Sequence, residues 1–494
     1  MKQKLTMIEL FAGIGAQKRG IDNTGLYDLE VVATSDIDKD AVVEYAAIHH
    51  GLTKEMIESY DKYPSREKMA QSLMDRKIGL DFKTGEIYDW FKLAKKKNGM
   101  ELEKFWLSAE LANNMGDICG IDALPYSDVV TYSFPCTDIS VAGELKGLSK
   151  KSGTRSGLLW EVERLLEVAK ENSALPKYLL MENVDNLVSQ KFKPDFDIWC
   201  NKLDELNYNT YWKILNAKEG GVPQNRRRVF ALSIRKDIDT GKFTFPIPFD
   251  AGIRLKDILE QNVEEKYYIN TERASNLIKQ LIDKGRLPET NQNKTILVKN
   301  YGDDYEKDID CAVTLLARDW KGWNNYGSTA IVESNAATNN PNRLGNMYGE
   351  DMGTGFAGNV WDKNAIAPAL MTMQGGNRQP SIIEDNIQTN QNKNEENTYA
   401  SNGVKYKDSI YRIRKLTPKE CFKLMTFEFE DVDKCWAIGA SNTALYRAAG
   451  NSIVTNCIQL LFEHLYKAQY DENYICTDEK MLNFQHQEVS NYAK

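Results

Sequence analysis

Histidine is scarce in this chain: there are four in 494 residues, at positions 49, 50, 464 and 486. His49 and His50 are adjacent instead of spaced as ligands, so a histidine-built zinc site and histidine-based catalysis are both poor readings, and no metal is expected. The eight cysteines, at 119, 136, 200, 311, 421, 435, 457 and 476, contain no Cys-x-x-Cys pair. That argues against a zinc ribbon or a disulfide framework and leaves buried thiols, one of which can be a nucleophile. No apolar run is long enough to span a bilayer, and Met1-Lys2-Gln3-Lys4 leads into a short strand-like stretch instead of a secretory apolar core. A cytoplasmic protein without a membrane partner is the expectation.

Hydrophobic residues make up 42% of the chain and charged residues 27%, the balance of a globular protein with a sizeable core, and the length points to two domains. The net charge of −8 supplies no global attraction to a polyanion, so such a partner would depend on local patches. Arg226-Arg227-Arg228, followed by Arg235 and Lys236, reads as one.

Residues 5–16, LTMIELFAGIGA, read as a buried strand, a glycine turn and a helix from about Ala16. A second strand over Leu29–Thr34 ends in Ser35-Asp36-Ile37-Asp38, and AVVEYAAI after it is helical. An acid about twenty residues beyond such a turn points to a doubly wound, nucleotide-binding α/β sheet. Residues 51–110 are Lys/Glu-rich with spaced apolar positions and read as a helical insertion. Strand character resumes at Ile118, at Asp128–Tyr132, at Tyr178–Met181 and at Val229–Ile234. Between about 245 and 405, asparagine, glycine and tyrosine become frequent and strong helical periods disappear, as in a smaller, irregular, β-rich domain. Two stretches within it, 312–318 and 367–373, are weakly alike, and 385–403 reads as a polar mobile segment. Helical character returns from Arg412. The expected division is a catalytic domain over 1–244 and 409–470, the smaller domain over 245–408, and a tail from 471.

Four segments carry chemistry. The turn Phe11-Ala12-Gly13-Ile14-Gly15 lets backbone approach a ligand but lacks the third glycine of the dinucleotide fingerprint. Ser133-Phe134-Pro135-Cys136 follows directly on a strand, which puts the thiol at the ligand-binding edge of an open sheet, where a nearby helix N-terminus would favour the thiolate. On that segment alone a buried structural cysteine is an equal alternative. Met181-Glu182-Asn183-Val184 ends another strand; in a partly apolar pocket the neutral form of Glu182 would be favoured, while a helix N-terminal acid is its ordinary alternative. In Gln224-Asn225-Arg226-Arg227-Arg228, the two-residue period points Gln224, Arg226 and Arg228 to one face, suited to a phosphate or a base carbonyl, or simply to solvent.

Taken in order (glycine turn, acid, Pro-Cys, Glu-Asn-Val, Gln-x-Arg-x-Arg, a variable region, then Gly450-Asn451-Ser452) these segments resemble the cytosine-5 DNA methyltransferase family, especially its bacterial and phage members. The likeness runs over residues 5 to about 240 and 409–462. It implies an S-adenosylmethionine-dependent methyltransferase sheet with a smaller target-recognition domain. It implies that Phe11, Ala12, Gly13, Ile14 and Gly15 surround the methionine part of S-adenosylmethionine, that Asp36 holds the ribose and Ile37 packs on the adenine. Asp117 and Ile118 would meet the adenine amino group, Leu158 and Pro135 would line the cofactor site, and Asn451 and Ser452 would complete it. Cys136 would be the nucleophile, Glu182 the cytosine-binding acid, and Arg226 and Arg228 the pair beside the substrate. Arg414-Lys415-Leu416-Thr417-Pro418 resembles the motif that organises the recognition domain. This chain departs from the family pattern at Thr137 (usually glutamine), Asp36 (usually glutamate) and Ala16 (commonly glycine).

The implied reaction is methylation of carbon 5 of a flipped-out cytosine in double-stranded DNA through a covalent cysteine adduct. The chain would act as a monomer, with a restriction endonuclease of the same specificity as a second partner. The nearest rival is the same chemistry on tRNA, against which the large region between Gln-x-Arg-x-Arg and Gly-Asn-Ser argues. A nicotinamide dehydrogenase would explain the glycine turn but neither Pro-Cys nor Glu-Asn-Val, and a non-catalytic DNA-binding relic would not need every reacting group.

Overall fold

A computed structural model describes residues 2–81, 84–96, 98–136, 139, 156–284, 343–347, 359–370, 380–387, 404–406 and 409–475. Its main sheet is built from β1 (Gln3–Leu10), β2 (Tyr27–Ser35), β3 (Val129–Tyr132), β4 (Tyr178–Val184) and β5 (Tyr208–Asn216), with the two-residue β6 (Gln224–Asn225) leading into β7 (Arg227–Arg235). The strand order is β2-β1-β3-β4-β7-β5. β1 pairs in parallel with β2 and β3, and β3 with β4, whereas β7 runs antiparallel to both β4 and β5.

A mostly parallel sheet needs both faces covered, and the sequence meets this with residues that are apolar on both sides of the inner strands β1, β3, β4 and β7. Successive residues then divide between two cores. Leu5 and Met7, Val129, Tyr178 and Leu180, and Phe230, Leu232 and Ile234 enter one cluster. Ile8 and Leu10, Val130 and Tyr132, Leu179 and Met181, and Val229 and Ala231 enter the other. The first face is covered by α1 (Ala16–Asn23), α2 (Lys39–His50) and, from the far end of the chain, α13 (Thr455–Tyr470). A Cβ on Gly20 would stand 2.5 Å from Ile458 Cβ, so glycine there lets α1 and α13 meet. The second face is covered by α7 (Leu159–Glu171) and α8 (Lys193–Glu205) through Leu159, Val162, Leu165, Phe196, Trp199 and Leu203. The fold is therefore the doubly wound α/β sheet expected from the glycine turn.

The insertion is helical: α3 (Lys54–Ser59), α4 (Arg66–Asp75), α5 (Trp90–Ala94) and α6 (Glu101–Leu111). It extends the first core, since Met69, Leu73, Trp90, Leu102 and Phe105 join the same cluster as α2.

A second sheet has the order β12-β13-β11-β9-β8, from β8 (Arg343–Asn346), β9 (Asn359–Trp361), β11 (Ser381–Ile387), β12 (Val404–Tyr406) and β13 (Ser409–Lys415). β10 (Ala367–Pro368) instead pairs with β6 and so joins this region to the main sheet. The amphipathic α9 (Glu272–Asp283) packs Ala274, Leu277, Ile278 and Leu281 against the second sheet.

Several local expectations need correction. Ile118 begins a 3-10 turn, not a strand, because the Asp117 side chain accepts from Cys119 N at 3.2 Å and curls the backbone. Strong helical periodicity does occur between 245 and 405, as α9, whose N-cap is Thr271. Residues 385–387 belong to β11, and of the two weakly similar stretches 312–318 lies outside the described residues. Arg412–Lys415 are strand, and helix starts only at Pro418 with α10 (Pro418–Leu424), followed by α11 (Phe429–Ala437) and α12 (Asn442–Asn451). The sequence signal for that start is Thr417-Pro418-Lys419-Glu420, a capping box with proline in the first turn.

That corner holds a fully buried ion pair. Arg414 donates to both Glu420 oxygens at 2.8 and 2.9 Å, both side chains being 0% exposed. Glu420 also accepts Thr417 N and Glu260 N. The pair thus ties the last strand of the second sheet to α10 and to residue 260. Removing one partner leaves a buried, uncompensated charge, so Arg414→Met is expected to destabilise the protein by about 3–5 kcal/mol in urea unfolding. The double replacement Arg414→Met, Glu420→Gln, which removes both charges and keeps an acceptor for Thr417 N and Glu260 N, should recover part of that loss, and equal midpoints for the single variant and the parent would contradict the assignment.

Candidate active site

The order of the main sheet reverses beside β1, with β2 on one side and β3 on the other, and a crevice opens at the carboxyl ends of such strands. A cavity of about 780 Å³ lies there. Each strand delivers one segment to it: β1 the turn from Phe11, β2 Asp36, β3 Ser133–Cys136 and β4 Glu182–Val184. Because β7 is antiparallel to β4, with Arg228 opposite Val184, its first residues arrive at the same edge. The last contribution, Gly450–Ile453, comes from the end of α12 and beyond.

One half of the cavity is shaped by the opening turn. Gly13 has φ +54 and open space where a side chain would stand, and its N–H donates to Asp36 Oδ2 at 2.7 Å. Asp36 also accepts Asp38 N at 2.8 Å through its other oxygen. Burial, reinforced by Asp38, raises the Asp36 carboxyl to about 6, against the opposing pull of those N–H donors. Ile37, Ile118 and Leu158 supply apolar wall, and Asp117 is held by Lys77 Nζ at 2.6 Å. S-Adenosylmethionine fits these residues: a glycine cradle for close backbone approach, a carboxyl for hydroxyls, and apolar side chains for a purine.

Gly15 is the exception among the expected cofactor residues. It does not line the cavity; it caps α1 at φ +73, and a Cβ there would lie 2.3 Å from His49 Nε2. Its missing side chain makes room for His49 and Tyr45. Phe11, Ala12, Gly13, Ile14, Asp36, Ile37, Asp117, Ile118, Pro135, Leu158, Asn451 and Ser452 all line the cavity.

The other half gathers Cys136, Glu182, Arg226 and Arg228. The Pro135–Cys136 loop is pinned from behind: Asn183 Nδ2 donates to Phe134 O at 2.9 Å and Ser156 Oγ to Pro135 O at 2.7 Å. Arg228 Nε lies 3.3 Å from Glu182 Oε1. Burial pushes the Glu182 carboxyl up, while Arg228, Arg226 and a hydrogen bond from Ser133 oppose it. Burial likewise pushes the Cys136 thiol up, and Glu182 adds to this, whereas Arg228 and Arg226 draw it down. Residues 137–138 and 140–155, which follow Cys136 and on which a nearby helix N-terminus would fall, lie outside the described residues.

The arginine segment does not behave as one face. Gln224 is fully buried, donating to Leu424 O at 2.7 Å and accepting Leu370 N at 3.0 Å, and is absent from the cavity wall. Arg226 donates to the carbonyls of Leu370, Gly450 and Ser452, bolting the Gly450–Ser452 turn and the second region to the cavity. Arg227 turns outward to Asp185 at 3.0 Å. Arg235 and Lys236 lie at the other end of β7, about 27 Å away at strand rise, paired with Asp237 and Asp204. The expected basic patch is therefore not continuous.

Two contributors escaped the sequence reading. Ser133, which also accepts Gln17 Nε2 at 3.3 Å, is the hydroxyl beside Glu182. Arg447, which bridges Asp38 and Asp40 at 3.1 and 2.8 Å on the cavity wall, has no local pattern that would mark it. Among the described residues, no His/Cys/Asp/Glu group is arranged to hold a metal ion, and no helix is long and apolar enough to cross a membrane.

Comparison with known proteins identifies the family. The model of the family described as C-5 cytosine-specific DNA methylase matches residues 5–74 and 94–467. A Lactococcus lactis subsp. cremoris protein, the type II methyltransferase M2.ScrFI, is 32% identical over 94% of this chain and 100% of its own length. The orphan methyltransferase M.SssI of Spiroplasma monobiae is 34% identical over 60% of this chain and 74% of its own. The orphan methyltransferase M.SPRI of Bacillus phage SPR is 26% identical over 94% and 97%. With nearly the whole chain matched and a cavity that joins a glycine cradle to a Pro-Cys loop, the chain belongs to the C-5 cytosine-specific DNA methylases and is an S-adenosylmethionine-dependent DNA (cytosine-5)-methyltransferase.

Proposed function

We propose that Cys136, Glu182, Arg226 and Arg228 carry out the methylation on a cytosine turned out of duplex DNA, beside a cofactor held by Phe11–Ile14, Asp36, Ile37, Asp117, Ile118, Pro135, Leu158, Asn451 and Ser452. The observation that carries this reading is that both groups of residues line one cavity at the carboxyl edge of the sheet. Gly15, which does not line the cavity, is not included in this set.

Cytosine carbon 5 is too weak a nucleophile to be methylated directly. Addition of the Cys136 thiolate at carbon 6 makes the ring enamine-like, splitting one difficult step into easier ones. Glu182 in its neutral form donates to ring nitrogen 3 as that nitrogen gains electron density, and its other oxygen accepts from the exocyclic amine. Arg228, beside Glu182, holds the ring carbonyl oxygen; Arg226, already committed to three backbone carbonyls, acts by holding the wall and by its charge. Bound S-adenosylmethionine supplies an electrophilic methyl group on a cationic sulfur. Loss of the carbon 5 proton to water and return of the nitrogen 3 proton to the Glu182 carboxylate then let the carbon 6–sulfur bond break, which restores the ring double bond, the Cys136 thiolate and the neutral acid. Extrusion of the base is required because the ring carbon is unreachable in a stacked duplex.

The proposed division of the chain is a catalytic domain over 1–244 and from about 416 to 470, with base-edge readout from the intervening region. Pairing of β13 with β11 and β12 supports counting residues 409–415 with the smaller region. A monomer working on nucleoid DNA in the cytoplasm is the proposed context. A restriction endonuclease of the same specificity is the proposed protein partner, supported by the type II name of the Lactococcus lactis relative.

Bisulfite sequencing of DNA from cells expressing the protein tests the substrate. One short sequence context in the duplex should be protected, and tritiated methyl transfer should favour duplex DNA over tRNA. Transfer to tRNA with unprotected DNA would reject the reading.

A further inference from the structure

The family match covers 5–74 and 94–467 and steps over 75–93, yet part of that skipped segment lies on the cavity. Gly79, Leu80 and Asp81 line it together with Asp36, Ile37, Asp117 and Ile118, the residues assigned above to the ribose and adenine. The segment is built in, not draped over. Gly79 N donates to Ile37 O at 2.7 Å, and Asp117 N donates to Arg76 O at 2.9 Å. Gly116, with φ +80, permits this approach, since a Cβ there would stand 2.0 Å from Arg76 O. Lys77 reaches Asp117 Oδ2 at 2.6 Å.

The far side of the segment is anchored to the insertion's own core. Trp90, fully buried, donates from Nε1 to Ile78 O at 2.8 Å and packs edge-on against Phe105. Leu80 forms an antiparallel bridge with Ile87, and Asp81 N donates to Glu86 O at 2.8 Å. Residues 79–81 are thus fixed from both sides, and the half-buried Leu80 stands on the cavity wall.

We propose that residues 76–81 form the adenosine-end wall of the cofactor site, with Leu80 as the apolar side chain that covers the purine alongside Ile37 and Ile118. This rests on the reading of the cavity as the S-adenosylmethionine site, and it gives the insertion a role in cofactor affinity. Leu80 acts on binding and touches no reacting atom, so its loss changes the cofactor's KM and leaves the rate at saturation alone.

The test titrates the full-length protein with S-adenosylhomocysteine and with 5′-methylthioadenosine, which keeps the adenosine half and lacks the amino-acid half. Leu80→Ala should weaken both about tenfold, while Leu80→Met, which keeps the apolar volume, should bind both within about twofold of the parent. Methyl transfer by Leu80→Ala at saturating cofactor should stay within about twofold of the parent. Unchanged affinity in Leu80→Ala, weakening confined to S-adenosylhomocysteine, or failure of Leu80→Met to bind as the parent does would overturn the proposal. A parent protein that binds neither ligand would instead reject the cofactor reading of the cavity.

Discussion

Replacement of Cys136 by alanine is expected to reduce methyl transfer to duplex DNA by on the order of 10⁴-fold or more, with S-adenosylhomocysteine binding retained. The expectation follows from position and chemistry together. The thiol lies on the cavity wall with Glu182 and the two arginines, on a loop pinned by Asn183 and Ser156. No other cysteine lines the cavity among the described residues. Cys457 is close enough to Glu182 and the arginines to feel their charge, but it is buried in α13 and burial lifts its thiol to about 12, which leaves it inert at neutral pH. The variant removes little volume and no buried hydrogen-bonding partner, so the glycine cradle and Asp36 should keep their geometry. Measuring cofactor binding by calorimetry beside single-turnover transfer separates the two halves of the site. Transfer at about a tenth of the parent rate would exclude Cys136 as the nucleophile.

The parts of this site that were legible in the sequence are those set by local rules. A strand that ends in a glycine turn, an acid at the end of the next strand and Pro-Cys at the end of a third each announce the same sheet edge, because parallel strands all end on one side. Arg228 also reaches that edge, but through the reversed direction of β7, which no local pattern encodes. The failures have physical causes as well. Gly15 and Gln224 carry the right chemistry for ligands yet are used internally, one to admit His49 and one to clamp Leu370 and Leu424. Arg235 and Lys236 are near Arg228 in sequence but a full strand length away in space. Ser133 and Arg447 gain their positions from chain segments far apart in sequence: β3 beside β4, and α12 beside the loop after β2. The helical character of 51–110 was visible, whereas the placement of residues 79–81 on the cavity depends on contacts with Ile37 and Asp117.

Glu182→Gln should lower the single-turnover rate by about 10³-fold, near the middle of the range for a positioned acid, and should also change how that rate depends on pH. On the proposed roles, the reactive form of the parent has Cys136 deprotonated and Glu182 protonated. Burial raises both groups above their ordinary values, 9.0 for the thiol and 4.5 for the carboxyl. Between the two, each step up in pH gains thiolate and loses neutral carboxyl in equal proportion, so the rate should be nearly flat. It should fall below the raised carboxyl value, where thiolate disappears without compensation, and above the raised thiol value, where the acid form is exhausted. Glutamine keeps the shape and donates a hydrogen bond but has no proton to give and does not titrate. The variant's rate should therefore climb about tenfold per pH unit through neutrality, following the thiolate alone. Glutamine also removes a neighbouring carboxylate that pushes the thiol up, so the climb should level off at a lower pH than the parent thiol would set. A flat profile in Glu182→Gln, or a parent profile that already climbs through neutrality, would mean that the carboxyl supplies no proton in the rate-limiting step.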